Sequence, residues 1–147
     1  MSAEDRGARA VAADFIDAFN QADWERFRSQ LADDAVYEEA GTGRRVEGAD
    51  PYVELCQGWR RALPDCRGTI RSELADGPLV AQEIVWEGTH DGPLETPAGA
   101  LPASGRRVDV RASVWYRFDG DRIAEVHHHL DVLARLEQVG ALPTRGG

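Results

Sequence analysis

The pattern of apolar and polar positions changes character midway along the 147-residue chain. Over residues 4–20, Val11, Phe15, Ala18 and Phe19 recur at helical spacing, with Asp5, Arg6, Arg9, Asp14 and Asp17 at the other positions, which predicts an amphipathic helix. Asp23 is placed to cap a short second helix carrying Trp24, Phe27 and Leu31, after which AVYEEA reads as a short strand and Gly41 and Gly43 as a loop. Asp50 and Pro51 open a third helix, in which Tyr52, Leu55, Trp59 and Leu63 share one face until Pro64 ends it. From residue 66 the period becomes two. Strands are predicted over roughly 66–75, 79–90, 106–118 and 121–130, separated by DG or glycine-rich segments.

The alternation is clearest in VDVRASVWYRF. Val108, Val110, Ala112, Val114, Tyr116 and Phe118 share one face, while Asp109, Arg111, Ser113, Trp115 and Arg117 share the other, as a sheet with one covered face requires. The segment GPLETPAGALPASG, with three prolines and three glycines, is unsuited to a strand interior and is expected to form a flap over one end of the sheet. LDVLARLEQVG closes the pattern as a C-terminal helix. Helices first and an antiparallel meander afterwards make an α+β arrangement with the helices against one face of the sheet. A curved sheet closed by helices is a cone with an apolar cavity. One domain over residues 1–147 is expected, with a core of about 8–142 and mobile termini.

Composition narrows the chemistry. The formal charge is −9, from 26 acidic and 17 basic residues, and every basic residue is Arg. Without lysine no side chain can form a Schiff base. Net acidity without an arginine-rich run argues against a nucleic-acid partner or an anionic membrane surface, and in favour of a small neutral or apolar ligand. No apolar run approaches the length of a membrane span and the N-terminus lacks the regions of a signal peptide, so a cytoplasmic protein is expected. Cys56 and Cys66 lack disulfide-framework or metal-finger spacing and read as reduced, partly buried thiols with no local activating base.

Several short motifs then fall in order: PD at 64–65, GTHDG at 88–92, PASGRRV before the third strand, FDGDRIAEV at 118–126, Asp131 at the strand-to-helix junction, and LEQVGAL at 136–142. Over roughly residues 8–142 their order and spacing resemble the SnoaL-like polyketide cyclase family of the nuclear-transport-factor-2-like (NTF2-like) superfamily. The resemblance implies an NTF2-like cone-shaped α+β barrel, a homodimer formed through the sheet, and a deep cavity for an apolar or aromatic polycarbonyl ligand. It also implies intramolecular aldol ring closure, with an aspartate as acid/base and with no metal and no cofactor. By motif position that aspartate is Asp131. The sequence departs from the family pattern at Ser104, where Thr is usual, and at His127, His128 and His129, which replace bulky or aromatic residues before the aspartate.

Each candidate has a functional and a structural reading. Asp131 is either the acid/base or the N-cap of the last helix, and one carboxylate can be both. An ordinary Asp, near pKa ~3.9, is a poor base for a carbon acid unless burial raises it. Strand residues two apart lie about 6.8 Å from each other on one face, so His127 and His129 face together, with Asp131 if the pleat continues, and His128 faces the opposite way. His129 either bonds the carboxylate and polarises a substrate carbonyl, or is a sheet-face histidine. A metal held by His127 and His129, with Glu125 or Asp131, ranks below a metal-free site. His90 is an oxyanion donor or fixes the turn before the flap. Trp59, Trp86, Tyr37, Phe19 and Trp115 are the expected pocket walls, against a reading as core or dimer interface. Glu38 and Glu39 could supply a second carboxylate, against the commoner reading as solvated loop charges, and the Arg pairs 44–45, 60–61 and 106–107 read as exposed surface. The competing functions are another NTF2-like enzyme (an isomerase, an epoxide hydrolase or a hydroxylation-associated protein) and a non-catalytic ligand-binding or dimerisation module.

Overall fold

The computed structural model describes residues 3–96 and 99–141. Its elements in chain order are α1 (Ala3–Asn20), α2 (Trp24–Ser29), β1 (Leu31–Ala40), β2 (Arg44–Glu47), α3 (Ala49–Ala62), β3 (Arg67–Asp76), β4 (Leu79–Thr89), β5 (Leu94–Thr96), β6 (Gly99–Leu101), β7 (Arg107–Asp119), β8 (Arg122–Leu130) and α4 (Val132–Gln138). The expected ends of the chain beyond residue 141, including the last residue of LEQVGAL, lie outside the described residues.

Period-two patterning is realised most fully in β7, where buried and exposed residues alternate without a break from Val108 to Phe118. Six strands form one curved sheet in the order β2-β1-β8-β7-β4-β3, antiparallel except for the β1–β8 pair, which is parallel. The α+β expectation holds. So does the cone closed by helices: β2 and β3 end the sheet without pairing to each other, so the strands form no closed barrel and helices complete the cone.

Helices α1, α2 and α3 cover the inner face with Phe15, Phe19, Phe27, Tyr52 and Cys56. Phe15 stacks on Phe27 at 4.0 Å between ring centres and meets Tyr116 of β7 edge-on at 6.0 Å. The end of α1 is tied to the sheet where Asn20 donates to the Gly68 carbonyl at 2.9 Å and accepts the Gly68 N–H at 2.8 Å. Arg60 of α3 donates to the carbonyls of Phe19 and Cys66 and lies over the Phe19 ring, so it pins α1 to α3 and is not the surface residue its pairing with Arg61 suggested.

Two further corrections concern short strands. RRVE, for which no element was expected, is the edge strand β2, in which exposed Arg45 and Glu47 alternate with half-buried Arg44 and Val46. The glycine- and proline-rich flap contains the small ribbon β5–β6, which pairs only with itself. Residues 97 and 98 at its turn lie outside the described residues. No helix among the described residues is long and apolar enough to cross a membrane.

Candidate active site

The parallel pairing of β1 with β8 sets the site. Glu39 stands beside His128 in the ladder, and Val114 of β7 stands on the other side of His128, so all three project to the inner face. The same register sends His127 and His129 outward, opposite Trp115 and Ser113. Parity along β8 therefore follows the sequence expectation, while the side that faces the core is the one not chosen for the site.

His128 is buried under Tyr37, Trp59 and Trp86, whose rings approach it edge-on. The Trp86 indole Nε1–H donates to His128 Nε2 at 3.2 Å, and the Tyr37 hydroxyl lies 2.8 Å from His128 Nδ1. Tyr37 in turn donates to Glu39 Oε2 at 2.6 Å, and Thr42 donates to Glu39 Oε1 at 2.7 Å. An indole nitrogen only donates, so Nε2 accepts. The phenol spends its single proton on Glu39, so its oxygen accepts from Nδ1. The ring therefore carries its proton on Nδ1. Its protonation equilibrium agrees: burial pulls the His128 pKa down to about 4, against a smaller upward pull from Glu39, so the imidazole is neutral near pH 7. Burial and the neighbouring Glu39 push the Tyr37 phenol well above its usual range, which keeps it protonated.

This relay opens on a cavity of about 60 Å³ whose walls include Phe19, Trp59, Trp86, Leu94, His128 and Arg135. Gly68 makes room for one wall, because a Cβ there would fall 2.5 Å from Trp86 Cζ3. Leu94, fully buried, closes the cavity from the β5–β6 ribbon. Cys66 also lines it, as a thiol that burial pushes up to about 11.

Of the expected walls, Trp59, Trp86 and Phe19 line the cavity, and Tyr37 lies behind His128 as its hydrogen-bond partner. Trp115 is on the outer face, 49% exposed. Asp131 is exposed, accepts the Ala134 N–H at 3.0 Å and caps α4. His129 is exposed on the outer face, where it and His127 border two open hollows of about 270 and 310 Å³ that Asp131 does not line. Among the described residues no group of His, Cys, Asp and Glu is arranged to hold a metal. His90 is fully buried but outside the cavity wall. Its carbonyl accepts the Gly105 N–H at 2.8 Å and its Nδ1 lies 2.9 Å from Ser104 Oγ, so it secures the turn that ends the flap. The structure thus separates Asp131, His129 and His90 and assembles Tyr37, Glu39, Trp86 and His128 instead.

Glu39 was expected to be a solvated charge and His128 to face away from the site, yet each carried a local signal. Glu39 is two residues from Tyr37 on β1, and His128 is two residues from Val126 on β8, so both share a face with a core residue.

Comparison with known proteins fits this architecture. A SnoaL-like polyketide cyclase candidate from Jannaschia sp. CCS1 superposes with a TM-score of 0.87 at 18% identity, covering 97% of this chain and 98% of that one. IdmH, a polyketide cyclase candidate from Streptomyces antibioticus, has a TM-score of 0.74 at 27% identity over 89% and 96%. An LEH-like epoxide hydrolase of M. tuberculosis has a TM-score of 0.73 at 20% identity over 92% and 91%. No curated protein matches by sequence. The family model for SnoaL-like polyketide cyclases matches residues 10–139. On that match and the NTF2-like architecture, the chain belongs to the SnoaL-like polyketide cyclase family.

Proposed function

We propose that the protein is an acid/base enzyme that closes a ring in a small polycarbonyl compound by intramolecular aldol addition, with His128 moving the proton. The observation that carries this reading is the single tautomer forced on His128, which turns an unprotonated nitrogen toward an apolar cavity and backs the other nitrogen with Tyr37 and Glu39. When Trp86 yields its hydrogen bond to an entering ligand, Nε2 removes a proton from a carbon flanked by carbonyls. Burial disfavours the imidazolium in the empty site, where the ring titrates at about 4; beside the enolate it is stabilised by that negative charge and, through Nδ1–H and Tyr37, by Glu39. The enolate carbon bonds to a second carbonyl carbon of the same molecule, and Nε2–H returns the proton to the new alkoxide. Atoms and electrons balance without an oxidant, and the walls contribute by holding the two carbons together.

A cavity of about 60 Å³ is far below the ~300–1,000 Å³ of ordinary ligand pockets. Ligand entry therefore moves a wall. Leu94 is the wall that moves most easily, because its ribbon has no ladder bonds to the main sheet. We further propose a homodimer through the outer sheet face, where Leu74, Ala81 and Trp115 form one row across three strands with Leu74 and Trp115 exposed.

The reaction is tested with an acyclic 1,3-diketone that carries a third carbonyl three methylenes away, so that the carbon between the first two closes a six-membered ring on the third, following the cyclic ketol by NMR. Wild type should accelerate closure, His128→Gln should not, and Asp131→Asn should retain it. Loss in Asp131→Asn with retention in His128→Gln would return the acid/base role to the aspartate.

A further inference from the structure

Arg135 is an uncompensated cation in the wall of the cavity. It projects from α4, is 7% exposed, and lies among Trp86, Leu94, Val108 and His128. Among the described residues its side chain makes no hydrogen bond or ion pair, and its Nε is buried without a partner. A guanidinium stays charged and brings five donors, so a buried one is normally bound to a carboxylate or to carbonyls.

The nearby carboxylate is already served. Glu39, 2% exposed, accepts from Tyr37 on one oxygen and from Thr42 on the other, and Arg44 Nη1 lies 3.7 Å from it. Thr42 and Arg44 hold Glu39 from the β1–β2 turn, away from the cavity, whose wall does not include them. His128 is neutral. Two guanidiniums therefore flank one carboxylate, and the surplus positive charge belongs to the residue that touches the cavity. Burial already pulls the Arg135 guanidinium below its usual range, the direction expected of a cation short of partners.

We propose that the ligand of this cavity carries a carboxylate, and that Arg135 is its counter-ion. The inference rests on the cavity being the substrate site and adds the class of substrate: a polycarbonyl acid in preference to the neutral ketone that the same site also turns over. The carboxylate takes the Arg135 end, where a planar fork of N–H donors suits its two oxygens. The apolar part of the ligand lies against Trp59, Trp86 and Leu94, and a carbonyl-flanked carbon comes to His128. An acidic protein thus admits an acid through one local excess of positive charge.

The test uses benzoate and benzamide, which share shape and differ in charge, titrated against the full chain by tryptophan fluorescence. Wild type should prefer benzoate by about tenfold or more, the preference expected of one charge-assisted pair. Arg135→Gln should lose that preference and keep benzamide binding, while His128→Gln should keep the preference. Equal affinity of wild type for the two probes, a preference that survives in Arg135→Gln, or binding of neither probe overturns the proposal. Thermal melting gives an independent reading. Without ligand, Arg135→Met should melt at or above wild type, since it removes an unpaired buried charge, and benzoate should raise the Tm of wild type but not that of Arg135→Met. A clear fall in Tm for Arg135→Met would make the guanidinium a structural partner and overturn the idea. Benzoate preference without diketone closure defeats the acid/base reading alone, and closure without the preference defeats the carboxylate alone.

Discussion

Strand β8 carries three consecutive histidines, and its two faces put the same side chain into opposite circumstances. Inside, His128 is held by an indole and a phenol and is neutral near pH 7. Outside, His127 is half-exposed between Glu38 at 3.3 Å and Glu125 at 3.4 Å, and His129 is open to solvent. The residue type is constant, so the difference comes from what stands across the ladder. Glu39, Tyr37 and Trp86 fix the inner ring in one tautomer. The ring of His127 meets solvated carboxylates whose pairings are weak and screened, and that of His129 faces solvent. Chemistry that needs a defined proton position in a dry site has one candidate among the three.

The comparison breaks most visibly in turnover. His128→Gln should lower diketone closure by about 10²–10⁴-fold, the usual worth of a positioned acid/base group. His127→Gln and His129→Gln should stay within about twofold, since neither touches the cavity. A comparable loss from an outer substitution would end the distinction between the faces. The relay behind His128 is examined by Tyr37→Phe. The ring still stacks on Tyr52 at 4.7 Å, but Glu39 Oε2 loses its donor and His128 Nδ1–H its acceptor. With two buried groups left unpaired, a destabilisation of about 1–3 kcal/mol is expected in urea denaturation.

Acidity sharpens the contrast through stability. In the unfolded chain a histidine titrates near ~6.5, and in the folded chain His128 is lowered to about 4. Above the unfolded value the ring is neutral in both states and its full contribution is present. As the pH falls between the two values only the unfolded chain takes up the proton, so stability is lost, and the loss ends once the folded ring also protonates. Between pH 7 and pH 5 this amounts to about 2 kcal/mol. The measurement is the urea midpoint at the two pH values. His128→Gln should remove that part of the slope and His127→Gln should leave it. A slope unchanged in His128→Gln would show that the inner ring is not kept neutral by burial.

Much of the architecture was legible because it is written in local periods. The unbroken alternation of β7 declared its strand and which residues share a face, though not which face lines the cavity, so that Trp115 was expected on the inner side; Asp23 announced α2, where it accepts the Arg26 N–H at 3.2 Å. Three identical residues in a row offer no contrast, so HHH could not show which side is inside. The apolar marks lay upstream, at Ile123 and Val126, and a shift in the ladder between Arg117 and Phe118 puts both on the buried side. Glu39 was hidden for a different reason. A carboxylate reads as solvated until its partners are known, and Tyr37, Thr42 and Arg44 converge on it only through the β1–β2 turn and the parallel β1–β8 pairing. Arg135 belongs to the same class: its seven-residue helix folds back over the sheet end, and no local period records that.

The smallest expected effect is also the one that decides between the two faces. Asp131 Oδ1 accepts the Ala134 N–H at 3.0 Å, and its own N–H donates to the Arg111 carbonyl at 3.2 Å, so the side chain closes the first turn of α4 while the backbone extends the sheet. Asp131→Ala removes only the side-chain bond and should cost about 1 kcal/mol, whereas Asp131→Ser restores an N-cap oxygen and should recover most of it. Neither should change diketone closure once the protein is folded, because the carboxylate is exposed and absent from the cavity wall. Serine separates the two roles, since it caps as aspartate does but supplies no carboxylate. A folded Asp131→Ser variant that no longer closes the ring would place the working carboxylate at the helix junction and leave the buried relay of His128 a structural role. Intact closure in the same variant would assign Asp131 to α4 and leave proton transfer to the inner face of β8.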